Sequence, residues 1–166
     1  MEDGIGIPTH LKPELYQIEL LPFVIPDNFT IRGKLELTML CEEESKNVTL
    51  HSKNLVLDEE NIELINVKNG KRISIIEHSY DTDREFYIAK LSQTLKEGTR
   101  YKISINYVTQ LTNDNKGFYY DVYEDRTSGL VEYVLNLNLD KKIKVKHIRI
   151  FQMQVLCRHS ISSHWC

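Results

Sequence analysis

Period-two alternation in several short runs, turn signals about ten residues apart, and the lack of a convincing amphipathic helix before residue 129 predict an all-β fold. The expected architecture is a β-sandwich or saddle of mostly antiparallel strands, followed by an irregular C-terminal tail. At 166 residues the chain has the length of one domain, enough to bury a core without disulfide staples. Hydrophobic residues make up 41% and charged residues 27%, with only seven Gly and four Pro, so the composition is globular rather than fibrous or disordered.

Residues 1–6 form an expected disordered start. Pro8 and Pro13 each push the residue before them toward extended geometry, so the chain enters as a strand. In YQIEL, 16–20, Tyr16, Ile18 and Leu20 share one face and are expected to be buried. IRGKLELTMLC, 31–41, sets Ile31, Gly33, Leu35, Leu37, Met39 and Cys41 against Arg32, Lys34, Glu36 and Thr38, the pattern of a half-buried strand. VTLH at 48–51, IELINV at 62–67, ISIIEH at 73–78 and EFYIAKL at 85–91 are shorter candidates. YKISINYV, 101–108, repeats the clear alternation with Tyr101, Ile103, Ile105 and Tyr107 on one side.

Turn chemistry separates these runs at Pro26-Asp27-Asn28, Asn69-Gly70, Asp81-Thr82-Asp83, Lys96-Glu97-Gly98 and Asn113 to Gly117. Asn69-Gly70 predicts a hairpin, because the pair accepts the positive φ angles of a type I′ turn; the alternative is that it closes a wider loop. Residues 130–150, LVEYVLNLNLDKKIKVKHIRI, read as one or two strands with no clear turn or element after them.

Charge is unevenly distributed. Residues 1–129 carry 15 Lys+Arg against 22 Asp+Glu, or -7, whereas residues 130–166 carry 6 against 2, or +4. The acidic bulk argues against a nucleic-acid partner. No stretch approaches the length of a membrane span and the start lacks a secretion signal, so no membrane contact is expected from the chain as written, and its location stays open. Three cysteines, Cys41, Cys157 and Cys166, make an odd set that supports no disulfide framework.

Familiar catalytic motifs are missing. A helical zinc peptidase site needs His-Glu-x-x-His, which places two imidazoles on one helix face with a Glu to activate water, and none of the six histidines is followed by Glu. Gly33-Lys34 and Gly70-Lys71 lack the spacing of a phosphate-binding loop, and no Gly-x-Ser-x-Gly elbow occurs. Cys157, His159, His164 and Cys166 are the right ligand types for zinc, but their C-x-H-x4-H-x-C spacing matches no usual site and has no evident supporting shell. No residue is therefore assigned a catalytic or metal-ligating role. His51 is a lone histidine at a strand end, more often a packed or hydrogen-bonded residue than a ligand.

Four stretches occur in a telling order: Ile7-Pro8, Pro13, Tyr16 and Ile18; Phe29 to Gly33; Val48 to His51; and Gly117-Phe118-Tyr119. Together they resemble the amino-terminal domain of the aminopeptidase N family of zinc metallopeptidases. The resemblance covers residues 7–129, and Pro8, Pro13, Tyr16, Gly33, His51, Gly117, Phe118 and Tyr119 carry it as structural signature residues. It implies a β-saddle docked on a catalytic domain and forming one side of a cleft for the amino terminus of a peptide. Phe118, Tyr119, Tyr120 and Tyr123 would form an aromatic cluster there. Zinc, its His and Glu ligands and the general base would belong to the complete enzyme, beyond residue 166. Such enzymes reside at the plasma membrane or outside the cell, and some in the cytoplasm.

The polar residue that this domain lends to the substrate lies, in the family, in a Thr-Gln-Phe-type motif expected at about 130–145. The chain has LVEYVLNLNLDKKIKVK there, so the residue is not carried over. The likeness thus stops at about Gly129, where the charge also flips, and 130–166 is expected to be a non-family tail: translated intron, or sequence in a shifted frame. Asn28-Phe29-Thr30 and Asn47-Val48-Thr49 are candidate glycan acceptors on secretion. The alternative to an aminopeptidase fragment is a free-standing β-sandwich binding module.

Overall fold

A computed structural model of the chain describes residues 7–25, 28–111, 117–125, 130–138, 145–150 and 154–155, with side chains described within 7–23 and 29–111 and at Val122. The alternating runs become thirteen strands: β1 (Leu11–Ile25), β2 (Asn28–Cys41), β3 (Ser45–His51), β4 (Val56–Leu57), β5 (Glu63–Asn66), β6 (Arg72–Ile73), β7 (Ile75–Asp81), β8 (Phe86–Leu95), β9 (Arg100–Gln110), β10 (Gly117–Asp125), β11 (Leu130–Asn138), β12 (Val145–Ile150) and β13 (Gln154–Val155). The helical content of the described residues is one 3-10 turn, Glu59–Asn61. The fold is all-β, as the alternation implies.

An eight-stranded sheet has the order β12-β1-β2-β9-β5-β6, with β13 also on β1 and β4 also on β9. A second sheet, β3-β8-β7, packs over it, and β10 and β11 form a separate antiparallel hairpin. Because side chains alternate across a strand, the register decides the core: Leu37 lies opposite Ile103 and Met39 opposite Tyr101. These residues, with Cys41 and Leu64, meet Val48, Tyr87, Ala89 and Leu91 of the second sheet, and all are almost fully buried. The Leu, Ile, Val and Met side chains among them each contribute about 1.5–3 kcal/mol through the apolar surface they remove from water.

Asn69-Gly70 does close a hairpin, through the wider loop rather than a two-residue type I′ turn. The Asn66 N–H donates to the Lys71 carbonyl at 2.9 Å and the Gly70 N–H to the Asn66 carbonyl at 2.8 Å. Gly70 alone of the pair takes a positive φ, +68°. The run 73–78 is split at Ser74, where the chain leaves the first sheet at β6 and enters the second at β7. Burial in β1 is graded: Leu20 is buried, whereas Tyr16 and Ile18 are half-buried.

The described parts of the C-terminal stretch are strands. Residues 130–138 pair with β10 through nine consecutive positions, Gly117 opposite Asn138 to Asp125 opposite Leu130. VKHIRI, the well-alternating segment of the sequence, is β12 and runs parallel to β1. Residues 156–166, with the Cys157, His159, His164 and Cys166 cluster, lie outside the described residues.

Candidate functional site

The eight-stranded sheet is longer than the sheet that covers it. Past Leu35 and Ile105 the covering strands end, at His51 on β3 and Phe86 on β8, while β1, β2 and β9 continue. A second, smaller core forms there from Leu20, Ile31 and Leu111, with Ile18, Phe29 and Tyr107 packed against it. Between the two cores opens an apolar groove of about 150 Å³, lined by Ile18, Leu35, Leu50, Leu57, Ile105 and Tyr107 among others.

Three phenols border the groove, Tyr16, Tyr87 and Tyr107, and burial pushes each of them up from the ordinary tyrosine range. They stay neutral at physiological pH, so these three side chains offer the groove apolar contact and neutral hydroxyls. Tyr87 is fully buried, and its hydroxyl meets His78 Nδ1 at 2.8 Å. Beside it Tyr80 donates to Glu59 Oε1 at 2.7 Å; burial, then that carboxylate, raises its pKa to about 12. Among the described residues no buried polar side-chain atom lacks a partner.

On the outside of the second sheet, His51 is exposed and stands edge-on to Phe86, ring centroids 4.7 Å apart, with Arg84 5.5 Å from the same ring. Phe86 is 2% exposed although it points away from the core, because these neighbours cover it. On the outer face of the large sheet Glu36 lies between Lys34 and Lys102, each 3.3 Å away. Burial alone would raise its pKa, but the two lysines outweigh it and hold the carboxylate below the usual range.

Among the described residues no group of three or more His, Cys, Asp or Glu stands close enough to hold a metal ion. A tetrahedral zinc site needs three protein ligands or more, so the described residues do not fit one and no chemical step runs through zinc here. What the site offers is a surface: an apolar groove at the open end of a sandwich.

A protein-family model, that of the Peptidase M1 N-terminal domain, matches residues 12–136. The chain belongs to this family. Aminopeptidase Ey of Gallus gallus is 28% identical over 125 residues, covering 72% of this chain and 13% of that protein. Aminopeptidase Q of Mus musculus is 26% identical over 136 residues, 74% of this chain and 24% of the relative. Aminopeptidase N of Bos taurus is 25% identical over 125 residues, 72% and 13%. The chain therefore spans less than a quarter of the length of these curated relatives.

The Peptidase M1 N-terminal match runs from β1 into β11, seven residues past Gly129, where the likeness of the sequence motifs ends. The signature residues whose side chains are described are not gathered into one site. Pro8 is exposed ahead of β1 and of the match; Pro13 is exposed in β1, where the pairing with β2 shifts register between Pro13 and Leu15. Tyr16 and His51 border the groove. Gly33 is buried in β2. Gly117, Phe118 and Tyr119 lie on β10 opposite Asn138, Leu137 and Asn136, their side chains outside the described residues, as are those of Tyr120 and Tyr123. Asn47 is exposed on β3; Asn28 opens β2 with its side chain outside the description.

Sequence reasoning missed the groove residues Leu50, Leu55, Leu57 and Tyr107 as a set, since they come from three separate segments. One signal was available: a glycine at an apolar position of a well-alternating strand marks a place where something else comes close.

Proposed function

We propose that this chain is the amino-terminal β-domain of a zinc aminopeptidase that removes amino-terminal residues from peptides, and that its work is to dock on a catalytic domain and shape one side of the substrate cleft. The observation that carries the reading is the family match over residues 12–136, which takes in β2 to β10 and most of β1 and β11. The relatives' names, all aminopeptidases, supply the activity. The apolar groove at the open end of the sandwich supports a docking role over a chemical one, because an apolar surface gains most from being covered. Zinc, the general base and the activated water belong in this reading to the catalytic partner.

Complementation tests this. A catalytic domain of an M1 aminopeptidase, prepared without its own amino-terminal domain, is assayed on alanyl and leucyl anilides with and without the chain. Recovered hydrolysis that requires the catalytic domain supports the reading. Hydrolysis by the chain alone, or no gain from adding the folded chain, contradicts it.

A further inference from the structure

One edge of β1 is covered by β2 along its whole length; the other is covered by the C-terminal stretch. There the register sets Gln17 opposite His147, Ile18 opposite Ile148, Glu19 opposite Arg149 and Leu20 opposite Ile150, with Phe23 and Val24 opposite Gln154 and Val155. These two ladders are the only parallel ones among the described strands. From Ile18 to Leu20 the residue types agree across the ladder, apolar with apolar and acidic with basic; the register shifts between Tyr16, opposite Val145, and Gln17, and Phe23 opposite Gln154 is unmatched. A one-residue slip would set Glu19 opposite isoleucine, so the matching depends on register. The charge balance agrees, +4 in residues 130–166 against -7 in the rest. Parallel pairing is slightly weaker per residue than antiparallel, and an open strand edge is a template for another strand.

We propose that the outer edge of β1, at Tyr16–Leu20, is an acceptor site for an extended segment of alternating basic and apolar residues, and that the partner it fits is residues 145–150 of a second copy of this chain. In one copy its own segment occupies the site. Being part of the same chain, that segment competes at an effective concentration of about a millimolar, so exchange between copies becomes visible only in concentrated protein.

The test uses the full chain, a synthetic peptide of residues 144–155 and the variant Ile148→Pro, in which the proline removes a ladder N–H and empties the site. Sedimentation of the wild-type chain at rising concentration is expected to show a dimer that excess peptide dissolves. Ile148→Pro is expected to stay monomeric, to lose amide-exchange protection at residues 16–20, and to bind the peptide at least about tenfold more tightly than wild type does. Added salt weakens that binding. A second variant, Arg149→Glu, which places like charges opposite each other without touching the backbone, is expected to act in the same direction if the proline prevents folding. Equal peptide binding by variants and wild type, a dimer that persists in both variants, or unchanged exchange at residues 16–20 overturns the proposal.

Discussion

The ring of Tyr107 lies over Gly33, its partner across the β2–β9 ladder, in the space where a Cβ at position 33 would sit. The aromatic side chain covers a stretch of strand that has no side chain of its own, and it packs against the smaller core at the edge of the groove. Ring and glycine are a matched pair, so a change at either is felt at the other.

Gly33→Ala is expected to destabilise the fold by about 1–3 kcal/mol, because the new methyl meets the outer end of the Tyr107 ring, Cζ, Cε2 and the hydroxyl, and a planar ring gives way only by turning as a whole. Adding Tyr107→Val is expected to recover part of that loss. Urea unfolding of both single variants and the pair reads this as a coupling energy. Strict additivity would contradict the account.

Leu37 is fully buried between Tyr16 of β1 and Ile103 of β9. Leu37→Ala is expected to cost about 2–5 kcal/mol. By contrast Val56, 71% exposed, is expected to tolerate alanine within about 0.5 kcal/mol. Chemical denaturation of the two variants side by side separates core from surface; similar costs would misplace the core.

The folded pKa of Tyr80, about 12, lies above its unfolded value of 10.0. A group raised in this way contributes stability that is fully present below the unfolded value and is lost as pH rises through the folded one. The chain is therefore expected to lose stability between about pH 10 and about 12. Glu59→Gln should move the Tyr80 titration downward, followed by tyrosinate absorbance with Tyr80→Phe as reference. An unmoved titration in Glu59→Gln would refute the assigned cause.

Asn47 and Thr49 share the outer face of β3, an edge strand, while Val48 between them is fully buried. If the chain is made in a secretory host, one glycan is expected on the exposed Asn47, seen as a mass shift that an endoglycosidase and Asn47→Gln both abolish. Secreted protein without that shift would remove Asn47 as an acceptor.

Strands β2 and β9 were the most legible parts of the fold, because one face of each is core and the other solvent and period two follows directly. The long β1 was read at 16–20, where Tyr16, Ile18 and Leu20 share a face after the extended entry set by Pro8 and Pro13; its continuation, LPFVI, carries no alternation. The structure accommodates Pro13 at a register shift and Pro22 in the gap between β12, whose pairing ends at Leu20, and β13, whose pairing begins at Phe23. Val56 and Leu57 escaped notice because two residues carry no period. The groove was not legible at all, for it arises from two sheets of unequal length, a property of the assembled fold. The family was legible from spaced Pro, Tyr, Gly and His residues, although most of them serve the scaffold rather than a shared site.

The central claim, that this chain is a β-domain built to dock on an M1 catalytic domain, is tested most directly by sedimentation of the chain mixed with such a catalytic domain that lacks its own amino-terminal domain. The account predicts a one-to-one complex, weakened when Leu50→Arg places a charge in the groove. Two species that sediment separately, with the chain folded, would contradict it.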